Sequence, residues 1–179
     1  MNAPEPLLSI DADDFALFGL ARRFGIERAE IDARWKALQA RVHPDRFASE
    51  GTAAQRIAMQ WAVRVNEAQR RLCDPLQRAA LLCELLGAPV DAHTNTAMPA
   101  DFLLKQMAWR EALDEARAAT EVNALAHEVE ADRQRHLHAL ATALDQHANG
   151  PAAAVELRAL MFIERFGQEL DRRLEALGQ

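Results

Sequence analysis

At 179 residues, half of them apolar, the chain is long enough to bury a core, and its composition, without tyrosine and with only seven glycines and seven prolines, favours helices over strands. Its formal charge of −6 is unevenly spread: residues 1–75 balance 11 basic against 11 acidic side chains, whereas residues 76–179 carry 10 against 16. An acidic half without a basic stripe is a poor phosphate binder, so no nucleic-acid partner is expected, and no apolar run is long enough to cross a membrane.

Residues 1–10 hold two prolines and no helical period, and are expected to be a flexible lead-in. No basic stretch precedes their apolar residues and Asp11, Asp13 and Asp14 follow at once, so a secretory signal is not expected. A first helix is expected from Asp11 to Phe18, stopped by Gly19. A second spans Glu27 to Val42, where Ile31, Trp35, Leu38 and Val42 form one apolar stripe, and Pro44 ends it by disfavouring helical geometry at His43. After a loop running through Gly51, a third helix from Ala53 to Cys73 repeats the stripe with Ile57, Trp61, Val65, Ala68 and Leu72. The two should pack as an antiparallel hairpin with the loop at its tip.

Asp74-Pro75 marks a boundary and the start of a fourth helix, which Gly87 ends after about Leu86. Cys73 and Cys83, ten apart in apolar helical patterns, fit neither a disulfide framework nor a metal site and point to a reduced, cytoplasmic protein. A loop over 88–98 leads to three long helical patterns at 100–119, 121–147 and 151–177, with Gly150-Pro151 read as stop and start between the last two. The expected fold is all-α: a short helix and hairpin over 11–75, joined through a linker helix and loop at 76–98 to a three-helix bundle that completes a second domain, 76–179.

The loop opens with His43-Pro44-Asp45 and continues with Arg46-Phe47. Arg34 and Arg41 lie seven apart on one flank of the second helix, off its apolar stripe, and Lys36 faces outward. Local pattern alone leaves two readings open: a turn capped by Asp45 beside ordinary solvated arginines, or a rigid contact loop beside a steering basic face. The order of FALFGL at 15–20, RWKALQARVHPDRF at 34–47 and VNEAQRRLCDPLQRA at 65–79 resembles the J-domain, the module by which co-chaperones engage DnaK-type chaperone ATPases. The resemblance implies that His43, Pro44 and Asp45 trigger ATP hydrolysis on the chaperone, with Arg34, Lys36, Arg41 and Arg46 offering charge to its acidic surface. Val42 and Gln69 stand where many relatives carry an aromatic residue.

In the second half, the helix at 100–119 has more apolar residues than one buried face needs. Phe102, Trp109, Leu113 and Ala116 share one side, while Leu103, Leu104 and Met107 centre on the other beside Glu111 and Asp114. They form an exposed patch, a second buried face, or a homodimer seam. Phe162, Phe166, Leu170, Leu174 and Leu177 make the core line of the last helix, although Phe162 is also placed to reach the patch. FLLKQMAWREALDE at 102–115 and RALMFIERF at 158–166 resemble the C-terminal domain of the HscB family, J-type co-chaperones of iron-sulfur cluster biogenesis. That resemblance implies binding of an IscU-type scaffold through Leu103, Leu104, Met107, Glu111, Glu115 and Phe162, and its delivery to an HscA-type chaperone of the DnaK family. Lys105 and Ala108 depart from it, standing where relatives often have acids.

Of the remaining histidines, His93, His127, His136, His138 and His147 lack cysteines at ligand spacing and read as solvated, so neither metal nor cofactor is expected. With no phosphate loop and no nucleophile motif, the chain is expected to activate a chaperone ATPase rather than to be an enzyme. The expected state is a monomer. A general J-domain co-chaperone with another client or a dimerising bundle is the alternative; a histidine phosphorelay is disfavoured because no histidine has the expected lysine-glycine context.

Overall fold

Asp13 opens the first helix, α1 (Asp14–Phe18), by accepting the Ala16 N–H at 3.0 Å, and Gly19 closes it at φ 61° in the left-handed region that glycine enters without strain. The helix starts three residues later than its run of acids suggests, because Asp13, not a residue before Asp11, holds the capping position. The structure, a computed structural model, describes residues 9–47, 51–90 and 98–178, and the side chains of Pro44 and Arg46 lie outside what is described. So do most of the expected lead-in and the stretch of linker that carries His93.

Two longer helices follow, α2 (Arg28–Val42) and α3 (Thr52–Cys73), then α4 (Pro75–Leu85). Hydrogen bonds from Trp35 Nε1 to Asn66 Oδ1 (2.9 Å) and from Gln69 Nε2 to Asp32 Oδ1 (3.2 Å) fix α2 and α3 antiparallel, since rising numbers on one pair with falling numbers on the other. Gln69 thus makes a polar tie between the two helices. Between the helices Ile31, Leu38 and Val42 meet Val65, Ala68 and Leu72, all buried, together with Phe15 and Phe18 of α1. Each of these side chains except the smaller Ala68 contributes about 1.5–3 kcal/mol through removal from water.

Asp14 carries a buried charge in this layer, 2% exposed. Its carboxylate accepts two hydrogen bonds from Arg71, each 2.8 Å, and pairs with Arg64 at 2.8 Å. Arg64 also donates to the carbonyls of Ala12 (2.7 Å) and Ile10 (3.2 Å), which ties the start of α1 to α3. Full compensation is what makes a buried carboxylate tolerable.

Asp74 caps α4 by accepting the N–H groups of Leu76 (2.9 Å) and Gln77 (3.0 Å), with Pro75 at the first position, where its missing N–H is no loss. The chain divides into two compact units between Arg78 and Ala79. In the second unit, α5 (Ala100–Glu115), α6 (Ala119–Ala141) and α7 (Gly150–Leu177) enclose one core. Phe102, Trp109 and Ala116 of α5 pack with Val122, Leu125 and Val129 of α6 and with Ile163, Phe166 and Leu170 of α7. Trp109 stacks on Phe166 at 5.8 Å and Phe162 on the same ring at 5.9 Å, while Phe102 meets both Trp109 and Phe162 edge-on.

Several edges differ from the sequence pattern. The helix expected to reach 119 stops at Glu115, because the Glu121 carboxylate accepts the N–H groups of Arg117 (2.7 Å) and Ala118 (3.1 Å) and Arg173 donates to the Ala116 carbonyl (2.6 Å). No glycine or proline marks that break. The helix expected to run to 147 gives way after Ala141 to a wider π-helical turn, Thr142–Gln146, and the chain reverses through Ala148 at φ 47°. Asn149 then caps α7 by accepting the Ala152 N–H at 3.1 Å. Gly150 is therefore inside α7 rather than a stop signal. It is glycine because a Cβ there would lie 2.8 Å from that of Leu86 and 3.0 Å from that of Ala88.

Candidate functional site

Pro44 forces its predecessor out of the helix, and His43 is extended at φ −60°, ψ 128°, after which Pro44–Phe47 turns as a short 3-10 helix. The start of the expected loop is thus a 3-10 turn, and its residues 48–50 lie outside the described residues. His43 Nδ1 accepts the Asp45 N–H at 3.3 Å, with the Asp45 carboxylate 3.5 Å away, and the two side chains are 54% and 89% exposed. With Nδ1 turned toward Asp45, Nε2 is the ring nitrogen left to face a partner. Arg34 and Lys36 are exposed on α2 and have no ion-pair partner among the described residues. Arg41, also exposed, lines an open apolar groove of about 400 Å³ with Val42, Phe47, Ala54, Ile57, Ala58 and Trp61. Ile57, expected in the core stripe, is 55% exposed there, and Ala58 takes the buried position instead. Arg41 of α2 and Phe47 of the turn line the same groove, whereas Arg34 and Lys36 stand earlier on α2 and do not line it; Arg46 lies outside the described side chains.

On α5 the outer face is apolar at one end and acidic at the other. Leu103 is 45% exposed, Leu104 and Met107 67% each, and Glu111 and Glu115 follow them in exposed positions. The buried second face considered from sequence is not what forms. Phe162 does not join this patch freely. It is half-buried between Phe102 and Phe166, with the Arg110 guanidinium 5.6 Å over its ring.

What sets the rotation of α5 is partly polar, and the sequence reading missed it. Lys105 turns inward and donates to Asp132 at 2.9 Å, a carboxylate with no exposed surface that also pairs with Arg135. His136 Nε2 stands 3.7 Å from the other oxygen of Asp132, while its Nδ1 lies 2.6 Å from Glu156. His136 is therefore a partly buried member of a charge cluster rather than a solvated ring. One turn along α5, Trp109 Nε1 donates to Glu128 at 2.8 Å. The signal for Asp132 was available: it continues the line Val122, Leu125, Val129 at helical spacing, and a carboxylate on an apolar stripe needs cations. Elsewhere, burial pushes the Cys83 thiol up to about 11, so it is inert at neutral pH.

Among known proteins, a family model described as the HSCB C-terminal oligomerisation domain matches residues 98–171. A co-chaperone protein HscB homolog from Azoarcus sp. (strain BH72) is 49% identical over 173 residues, spanning 95% of this chain and 98% of the relative. The chain belongs to the HscB co-chaperone family. The Burkholderia multivorans co-chaperone protein HscB homolog is 45% identical over 96% of this chain and 99% of its own length. The solved structure of chaperone HscB from Vibrio cholerae superposes with a TM-score of 0.84 at 33% identity, over 92% of this chain and 99% of that one. Human co-chaperone protein HscB, at 24% identity and a TM-score of 0.82 over 97% of this chain and 85% of that one, shares the fold. Among the described residues no helix is long and apolar enough to cross a membrane.

Proposed function

We propose that this chain, by its family a co-chaperone of iron-sulfur cluster assembly, acts in the cytoplasm to bind an IscU-type scaffold and bring it to an HscA-type chaperone of the DnaK family, whose ATPase it stimulates. The observation that carries this is the outward-facing Leu103, Leu104 and Met107 on the unit matched by the HscB model. Apolar side chains this exposed on one helix face, followed by Glu111 and Glu115, suit a protein client with an apolar centre and a basic edge. The scaffold site consists of these five residues, with Phe162 supporting α5 from beneath.

The chaperone site comprises His43, Pro44 and Asp45 with Arg34, Lys36, Arg41 and Arg46. Charge on α2 speeds and orients the encounter, and the turn presents His43 Nε2 and an acceptor at Asp45. Holding two weak interfaces in one chain raises the local concentration of client at the chaperone. Titrating the protein into a cognate chaperone ATPase assay with and without scaffold tests the proposal, and synergy between the two is expected. Additive or absent stimulation would overturn it. A second reading, a dimerising bundle, is favoured by the oligomerisation description of the matched model. Gel filtration beside a scaffold pull-down separates them: a dimer that fails to retain scaffold supports the second.

A further inference from the structure

Arg64 holds the segment before α1 against one line of α3. It donates to the carbonyls of Ile10 (3.2 Å) and Ala12 (2.7 Å), and Asp14 reaches both Arg64 and, further along α3, Arg71. Residues 10–14 therefore run along α3 in its own direction, and the same path continued backwards from Ile10 leads toward the start of α3. There, at about 100° per residue, Trp61 and Ile57 fall within roughly 60° of Arg64, about 5 Å and 10 Å before it along the axis. Both line the open apolar groove beside the His43 turn, where Ile57 is 55% exposed. In sequence, Leu8 and Leu7 stand two and three residues before Ile10, an extended reach of at most about 7 Å and 11 Å.

We infer that Leu8 and Leu7 fill this groove as a strap from the same chain, laid along α3 toward the turn. The path of residues 10–14 aims them at it, and their reach matches the positions of Trp61 and Ile57. The groove's volume, about 400 Å³, lies in the range that holds a small molecule, ample for two leucine side chains. Glu5, the one acid of residues 1–8, comes with them to a rim that carries Arg41. The tether decides against a separate partner: a segment joined by a few residues acts at an effective concentration of about 1 mM or more, so a contact too weak to hold a free peptide is filled from within. The docked strap covers Arg41 and Phe47. It therefore competes with the chaperone for this edge of α2, a consequence that rests on the chaperone site proposed above.

NOE spectra of the full chain test the docking without any chaperone. Contacts from the Leu7 and Leu8 methyl groups to the Trp61 indole and the Ile57 methyl groups are expected, and their absence overturns the inference. Leu7→Glu combined with Leu8→Glu should move the Trp61 and Ile57 resonances and leave helicity and the signals of Leu104 and Met107 unchanged. Resonances of Trp61 and Ile57 that stay in place overturn it as well. In a chaperone ATPase assay the double variant should reach half-maximal stimulation at a concentration lower by at least about twofold, the factor for a groove filled half of the time. An unchanged concentration would overturn the competition. If neither protein stimulates the chaperone, the proposed function falls, and the docking is still decided by the NOE contacts.

Discussion

Asp45 stands on a four-residue turn that His43 leads into, whereas Leu104 and Met107 stand midway along a helix of 16 residues, and the two regions depend on the rest of the molecule in different ways. The shape of the turn is local: it follows from the end of α2, the extended backbone at His43 and the hydrogen bond between His43 and the Asp45 N–H. The outward aim of Leu104 is tertiary. It exists because Phe102 and Trp109, on the opposite side of α5, are buried and because Lys105 reaches Asp132. A local device is separable from folding at any of its residues, and a tertiary one only on its outer face.

The largest effect expected from this contrast is at the turn. His43→Gln keeps a side chain of similar reach but replaces the ring, and chaperone ATPase stimulation should fall to the unstimulated rate while scaffold binding and thermal stability stay unchanged. Stimulation that survives would remove the turn from the mechanism. On α5 the matching loss of function should come through unfolding if the inner face is changed. Trp109→Ala deletes a stacked ring that is 2% exposed and should destabilise the bundle by about 3–5 kcal/mol in urea denaturation. A loss below about 1 kcal/mol would mean that α5 is not held by its core face.

Leu104→Ala combined with Met107→Ala probes the outer face. Scaffold binding measured by calorimetry should weaken by about 2–3 kcal/mol, as for apolar hot-spot residues, with stability changed by less than about 0.5 kcal/mol. Phe162 is a poor choice for this purpose, because its contacts with Phe102 and Phe166 make any substitution a change in the core as well. If the double variant melted the bundle, the distinction between the two faces of α5 would collapse.

How far sequence reaches depends on whether the cause is local. The stripes Ile31, Leu38, Val42 and Val65, Ala68, Leu72 were legible, since helical spacing and apolarity together dictate burial. Ile57 obeys the same spacing and is exposed, because it lines an open groove beside the turn where nothing among the described residues covers it. The break after Glu115 depends on a carboxylate six residues onward and an arginine on another helix, and the alanine-rich stretch around it favours helix throughout. The His43 turn was legible as a position but not as a hydrogen-bonded 3-10 element. Lys105 looked like a departure from an acidic rim. In the structure it faces the other way, toward Asp132, whereas Ala108, the other departure, stays exposed.

The smallest effect concerns a surface contact on α6, the helix that carries Asp132. Glu130 accepts from Arg133 at 2.6 and 2.9 Å through its two oxygens, and this hydrogen bond to the arginine, with a further one from Gln134, holds its carboxyl down to about 2. The folded value lies below the unfolded one of about 4.3, so the contribution is fully present above that pH and is lost as pH falls through the folded value. The size of the shift overstates the stability involved: 52% of the Glu130 side chain is exposed, and solvent screening leaves about 0.3–0.5 kcal/mol for such a pair. Glu130→Gln should therefore lower stability by a few tenths of a kcal/mol at pH 7 in urea titrations, with the difference from wild type closing as pH drops from about 4.3 to about 2. A gap above about 1 kcal/mol at pH 7, or one that persists at pH 2, would mean that α6 leans on local surface pairs rather than on its buried line of Val122, Leu125 and Val129. In that case the bundle would resemble the turn at His43, held by neighbours in sequence, and the aim of Leu104 would no longer depend on packing across helices.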